Sequence, residues 1–342
     1  MYRVIAGQNG AEKEVVVAAV RAGDSSAFTE LVQRHRRELQ MHCYRMLGSF
    51  EESEDLVQEA FLRAWRKRGS FQGRATFRVW LYKIATNACL DHIARHPRRP
   101  MTPQAGGMGT SLLSGEIQWL QPYPDRLLDT AAPFEENPDA VIASKELVFI
   151  VAIQHLPPRQ RVVLILRDVL GWSASEAGEL LEMSVAAVKS SLQRARGTLR
   201  QQLPAPRLEW GPVSHPTEVE QETLQRYMEA TERGDVAALA NLLNEDAVLA
   251  MPAWSEHFVG RDAIVAALVE GGFGSESFGE LRCRATWANR QPAVANYRRP
   301  PGKSDYEAFA LDVLRIENGQ IKEITAFFSS ELFIASDLPL TL

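Results

Sequence analysis

The stretch Leu156–Leu203, LPPRQRVVLILRDVLGWSASEAGELLEMSVAAVKSSLQRARGTLRQQL, constrains this chain more than any other part of it. Pro157 and Pro158 suit the first turn of a helix, where a missing N–H costs nothing. Gly171 before Trp172 can close that helix with a left-handed residue and an apolar contact. Ser173 and Glu176 form an S-x-x-E capping box for a short second helix, Ala174–Leu181. Glu182-Met183-Ser184 is then a three-residue turn whose serine can cap a third helix. On that helix Val185, Val188, Leu192, Ala195 and Leu199 recur at helical spacing and are expected to face the core. Lys189, Gln193, Arg196 and Arg200 fall on the other side, with Ser190 and Arg194 beside them. The pattern predicts a helix-turn-helix with a basic recognition helix.

A plain amphipathic helix pair with a solvated face would show the same spacing, so charge decides between them. Residues 183–208 hold five basic side chains (Lys189, Arg194, Arg196, Arg200, Arg207) and no acid. Solubility alone is served by mixed signs, whereas phosphate contact selects one sign. DNA binding is the expected use. The net charge of −5 hides this, because the two signs are segregated along the chain.

Residues 14–98 read as almost entirely helical. Asp24 can cap a helix that turns Phe28, Leu31 and Val32 inward, and Gly48 breaks it. A long helix from about Glu52 to Arg66 follows, with Leu56, Val57, Ala60, Phe61, Ala64 and Trp65 in one stripe. Asp55, Gln58 and Glu59 share a neighbouring face at i, i+3 and i+4. Beyond the Gly69–Gly73 loop, Phe77 opens a helix to about Ala94. This segment carries Arg74, Arg78, Lys83, Arg95, Arg98 and Arg99 against one acid, Asp91, with Phe71, Phe77, Trp80 and Tyr82 interleaved. Basic side chains grip phosphates while aromatic rings stack on unpaired bases, as in single-strand binding. Phe77 is readily a core residue, whereas Phe71, in a loop, is less easily assigned to a core.

DLVQEAFLRAW (Asp55–Trp65), FRVWLYKIATNACLDHIAR (Phe77–Arg95) and the helix-turn-helix together resemble regions 2 and 4 of the extracytoplasmic-function sigma factors, compact members of the sigma-70 superfamily. WLQPYPDRLLD (Trp119–Asp129) and an added C-terminal domain resemble the Sigma-G-like subgroup. The resemblance implies that the chain directs RNA polymerase to promoters. Asp55, Gln58 and Glu59 match positions that dock on the β′ clamp of the core enzyme, whose β subunit is a further expected partner. Trp80 and Asn87 match the pocket for a base flipped from the −10 element; Phe71 and Lys83 are further candidate contacts there. Flipping costs a few kcal/mol of unstacking, so an aromatic wall and an amide suit it. Lys189, Ser190, Gln193 and Arg194 match positions that meet the −35 element, with Arg196 and Arg200 alongside. Ser191 stands where many relatives carry a basic residue, which predicts a different sequence preference.

Residues 101–140 change character. Six acids face one base, Arg126, and no helical period is visible, so the composition is that of a flexible acidic linker. The resemblance implies a path toward the RNA exit of polymerase. Trp119, Leu120 and Tyr123 are apolar for a spacer and are candidates for docking. Asn137-Pro138-Asp139 leads to the first region-4 helix, 140–155. A second linker, 205–216, precedes a domain of another kind. There a helix 218–233 turns Leu224, Tyr227 and Met228 to one side. A strand 247–251, a helix 262–269, an alternating strand around Leu281–Trp287 and an Asn318-Gly319 hairpin follow. Helices first and a curved sheet afterwards resemble a SnoaL-like cone. Such cones serve as enzymes, sensors or dimerisation modules; His257, Asp246 and Asp262 are the catalytic candidates, with helix caps and surface charge as their ordinary use.

The expected architecture is multidomain: two all-α domains, 14–98 and 141–204, then an α+β cone at 217–336. No enzyme motif, cofactor or metal site is implied, and a small-molecule ligand in the cone is left open. The three cysteines lie far apart, as small buried residues would. No signal peptide or membrane-spanning run is evident, which places the chain in the cytoplasm. Two rivals stand beside this reading: a helix-turn-helix regulator acting without polymerase, and a DNA-binding unit tethered to a SnoaL-like enzyme.

Overall fold

The computed structural model describes residues 17–71, 76–97, 117–128, 147–202, 217–254 and 256–342. Arg74, Arg98, Arg99, Arg207, the Asn137-Pro138-Asp139 triplet and most of both linkers lie outside these residues. The chain divides into two compact units, one of them built from residues up to 98 together with 157–196.

In that unit, α1 (Ser25–Leu47) begins where Asp24 accepts bonds from the Ser26 and Ala27 amides, and stops at Gly48 with φ 73°. Ser49 then caps α2 (Phe50–Lys67). Of the expected stripe, Leu56, Val57, Ala60, Phe61 and Ala64 are buried, while Trp65 is half-buried against Phe28. At roughly 1.5–3 kcal/mol per large apolar side chain, this stripe holds α2 to α1 and α3 (Phe77–Arg95).

The helix-turn-helix follows its local signals closely. Pro157 and Pro158 open α4 (Pro158–Leu164), which widens into a π-turn at Ile165–Val169. Gly171 is left-handed at φ 70°, and the Trp172 amide donates back to the Leu166 carbonyl at 2.9 Å. The Ser173/Glu176 capping box is present and starts α5 (Ala174–Leu181). Ser184 Oγ accepts from the Ala187 amide at 3.1 Å and starts α6 (Val185–Gln202). A Cβ on Gly178 would sit 2.7 Å from the Met183 carbonyl, so a glycine is required for the turn to pass under α5. Val188, Leu192, Ala195 and Leu199 are buried as expected. Val185 is 43% exposed, because it sits in the first turn before the helix reaches the core.

The second unit is a cone. Helices α7 (Glu218–Glu232) and α8 (Val236–Leu242) precede β1 (Leu243–Met251), β2 (Glu256–Val259) and α9 (Arg261–Glu270). Then come β3 (Glu280–Ala288), β4 (Gln291–Arg299), β5 (Glu307–Glu317), β6 (Gln320–Phe327) and α10 (Ser330–Ala335). The sheet order is β2-β1-β6-β5-β4-β3, antiparallel except for β1 beside β6. Asn318 and Gly319, at φ 52° and 75°, make the tight β5–β6 turn. The core joins Leu224 and Tyr227 of α7 to Leu249, Val294, Leu314 and Ile324 of the sheet.

Residues 117–128 do not behave as a spacer. Ile117, Leu120, Tyr123 and Leu128 are buried in this unit. The Tyr123 amide donates to Asn289 Oδ1 at 2.7 Å, the Asn289 amide to the Tyr123 carbonyl at 2.9 Å, and the Arg290 amide to Asp125 Oδ1 at 2.8 Å. Asn289 and Arg290 form the β3–β4 turn at φ 53° and 61°, a left-handed pair without glycine, and the docked segment satisfies its amides. Helix Leu147–Gln154 also belongs to this unit, its Leu147 amide 3.4 Å from Gln291 Oε1.

Candidate nucleic-acid interface

On α6, Lys189, Ser190, Gln193, Arg194, Arg196 and Arg200 are all exposed, so the outward face is basic as the spacing predicts. Arg194 Nη1 donates to Ser190 Oγ at 2.7 Å, which holds the guanidinium along the helix surface. Arg196 departs from expectation: its Nε and Nη2 reach both oxygens of Asp168 at 2.8 and 2.7 Å. A bidentate pair of this kind commits the fork to the protein's own carboxylate. Ser191 is 2% exposed, so it lies on the inner side of α6 and the missing base there removes no outward contact.

Along α3, Trp80, Lys83 and Asn87 stand at i, i+3 and i+7 and therefore share a side. Trp80 is half-buried and Asn87 exposed. Lys83 Nζ lies 3.1 Å from Glu182 Oε1, the left-handed residue of the helix-turn-helix turn. The two loop-proximal aromatics exchange their expected places. Phe71 is 7% exposed, its ring 5.6 Å from Phe77 and 5.3 Å from Trp80, while Phe77 is only half-buried. Hydrophobic burial wins over the loop position, and Phe71 acts here as the ring beneath Trp80.

On α2, Asp55 and Gln58 are exposed, while Glu59 accepts from Arg63 Nε at 2.8 Å; Arg63 also reaches Asp91 at 3.1 Å. A helical i,i+4 pair at the surface is worth about 0.3–0.5 kcal/mol, and this one is half-buried, so releasing Glu59 to a partner costs at least that much.

The cone holds a second candidate site. His257, Asp246 and Asp262 are exposed and do not line its cavity. The cavity, about 500 Å³, instead has Asp312, Asn296 and Tyr227 in its wall. Tyr227 Oη donates to Asp312 Oδ2 at 3.0 Å and Asn296 Nδ2 to the same oxygen at 2.6 Å. Burial pushes the Asp312 carboxyl up to about 6, although both bonds oppose that shift. Burial, with the Asp312 charge adding to it, also raises the Tyr227 hydroxyl. The sequence signal was present in EAFALDVLRIE, where one acid interrupts an apolar strand. Among the described residues no group of His, Cys, Asp and Glu could hold a metal ion, and no helix is long and apolar enough to cross a membrane.

Three family models match: Sigma-70 region 2 at residues 31–99, Sigma-70 region 4 at 147–199 and the SnoaL-like domain at 224–324. The ECF RNA polymerase sigma factor SigG of Mycobacterium tuberculosis is 39% identical over 330 residues, covering 93% of this chain and 85% of that protein. The chain belongs to the extracytoplasmic-function sigma factors. SigW of Bacillus subtilis is 34% identical to this sigma factor over 189 residues, 55% of this chain and 94% of SigW. The crystal structure of SigJ of Mycobacterium tuberculosis superposes with a TM-score of 0.56 at 20% identity. It covers 91% of this sigma factor and 100% of that chain, so the two share a fold: helical sigma units with a C-terminal α+β domain.

Proposed function

We propose that this sigma factor binds core RNA polymerase in the cytoplasm and carries it to promoters through two separate DNA readings. Residues 14–98 read the −10 element, 141–204 read the −35 element, and the cone at 217–336 regulates both without needing covalent chemistry of its own. The observation that carries the DNA reading is the single-signed face of α6. Lys189, Gln193, Arg194 and Arg200 are exposed there with no acid among them. Arginine and lysine suit guanine edges and glutamine suits adenine. Arg196, paired with Asp168, has a structural share in this face. On α3, Trp80, Lys83 and Asn87 offer a ring, a cation and an amide on one side, which fits an unstacked base. Asp55, Gln58 and Glu59 are the surface offered to the β′ clamp.

The two readings separate in one experiment with holoenzyme. Arg194→Ala is expected to cost about 1–3 kcal/mol in promoter binding and relax specificity in the −35 element. Arg200→Ala, a phosphate contact, weakens all sequences alike and lowers the salt slope by about one. Asn87→Ala leaves duplex binding intact and reduces permanganate reactivity of thymines near the start site. Wild-type reactivity in a folded Asn87→Ala variant removes that residue from the site, and unchanged promoter binding by both arginine variants removes α6 from the groove.

For the cone, support comes from its tether. A short linker holds it at an effective concentration near the millimolar range, and a ligand that favours one arrangement of the chain shifts activity by that preference. Truncation after Leu203 is expected to preserve core binding and change transcription several-fold. Equal activity of truncated and full-length chains across promoters leaves the cone without a regulatory role.

A further inference from the structure

The cone cavity is walled by aromatic rings: Trp254, Phe258, Phe273, Phe278, Phe309 and Phe328. Trp254, 55% exposed, stacks 4.3 Å from Phe328 where the cavity meets solvent. Every charged side chain on the cavity wall is an acid: Asp312, Glu256 and Glu270. Among the described residues no lysine, arginine or histidine lines it. An anion entering would lose its hydration without gaining a cation, and would meet carboxylates of its own sign.

Asp312 itself is incompletely used. It is 7% exposed and both of its hydrogen bonds fall on Oδ2, while Oδ1 accepts none among the described residues. A carboxylate kept only for structure would have both oxygens satisfied, since a buried unfilled acceptor is costly. Its orientation is fixed from behind. Tyr227 comes from α7 and Asn296 from β4, and Cys283 Sγ donates to Asn296 Oδ1 at 3.3 Å, which sets the amide so that Nδ2 faces Asp312. The result is a rigid acceptor in an apolar chamber, the arrangement that orients a mostly hydrocarbon ligand by one polar group.

We propose that the cone binds a hydrophobic small molecule bearing one hydrogen-bond donor, a hydroxyl or a protonated amine, and no anionic group, with the donor seated on Asp312. This deepens the regulatory reading of the cone and depends on it only for the consequence of binding, not for binding itself. The shared chemistry is the donor on an apolar body; the two donors differ in their need for charge. An ammonium requires the ionised carboxylate, whereas a hydroxyl requires only an acceptor.

The test is isothermal titration calorimetry of the full chain with three compounds on one hydrocarbon skeleton: 1-adamantanemethanol, 1-adamantanemethylamine and 1-adamantanecarboxylate. The alcohol or the amine is expected to bind one to one, at least about tenfold more tightly than the carboxylate. Asp312→Asn turns its one carbonyl oxygen to Tyr227 and Asn296 and its Nδ2 to the cavity, so it should weaken the amine, which can only donate, by about tenfold or more, and the alcohol, whose hydroxyl oxygen can accept, by only a few-fold. Ala267→Phe, which fills the cavity from α9 without touching the carboxyl, should abolish binding of both. Circular dichroism melting of each variant separates loss of binding from loss of fold. Equal affinity for all three compounds, binding of none, or binding that persists in both variants overturns the proposal. Transcription measured in parallel keeps the two ideas apart. Binding without any change in transcription refutes regulation and leaves the site standing. A change on truncation without binding does the reverse.

Discussion

Lowering the pH from 6.5 to 4.5 is expected to remove about 2 kcal/mol from the stability of the helical unit, through a single side chain, His42. Its ring lies at 0% exposure on α1, with Nε2 2.9 Å from Thr86 Oγ1 on α3 and the Tyr82 ring 5.0 Å away. Burial first, then the positive charge of Arg45, pushes its pKa down to about 3. In the unfolded chain the imidazole takes up a proton near pH 6.5. Its stabilising share is therefore complete above that value and shrinks as pH falls toward 3, because only the unfolded state can bind the proton. Glu38 acts in the same direction at lower pH. Burial raises its pKa, but hydrogen bonds from His35 and Arg78 outweigh that and hold it below the usual range, so its contribution fades once it protonates. Hydrogen exchange at the α1 and α3 amides reads this unit apart from the cone, which matters because the chain is multidomain. His42→Gln keeps a hydrogen-bond group for Thr86 and cannot ionise, so its exchange should be far less pH-dependent in this window. Wild-type protection that is flat from pH 6.5 to 4.5 refutes the assignment, as does an equal slope in the variant.

The contrast between what could and could not be read from the sequence is physical. The helix-turn-helix boundaries were legible because caps are local: Ser173 needs only Glu176, and Gly171 needs only a backbone that tolerates φ 70°. The α2 stripe was legible because 3.6-residue periodicity survives any partner. The burial of Phe71 was not legible because its environment comes from Phe77 and Trp80 across residues where the chain looks like a loop. The linker's order was invisible because its receptor, Asn289, stands 166 residues after Tyr123 in the sequence. Asp312 escaped for the same reason. A lone acid in an apolar strand is visible, but Tyr227 and Asn296 converge on it only once α7 lies across the sheet. The exposed positions of α6 needed no tertiary knowledge, whereas the diversion of Arg196 to Asp168 did.

Arg161→Ala is expected to cost the helical unit about 3 kcal/mol, from a lost charge-assisted bond plus the cavity left by a long side chain. Arg161 is 5% exposed on α4, and its Nη1 donates to the Met46 carbonyl in the last turn of α1. That carbonyl is one of those a helix end leaves unpaired, at the pole that favours a cation. Burial lowers the guanidinium to about 9, so it remains charged at neutral pH and its removal strips a full charge from the helix end. The bond ties the helix-turn-helix half of this unit to the half that carries α3. Among the described residues, further ties include the Tyr82–Trp172 ring contact at 5.3 Å and the Lys83–Glu182 pair. That ion pair is exposed, with 39% and 79% of its side chains in solvent, so Lys83→Met should cost under about 1 kcal/mol and serves as the control. In denaturant titrations followed by far-UV dichroism, the alanine variant should unfold early while the methionine variant tracks the wild type. Hydrogen exchange then distinguishes global loss from a parting of the halves, since parting alone exposes α5 and α3 and leaves the α1–α2 pairing protected. If Arg161→Ala lies within about 0.5 kcal/mol of wild type, the guanidinium is not what holds α4 to α1.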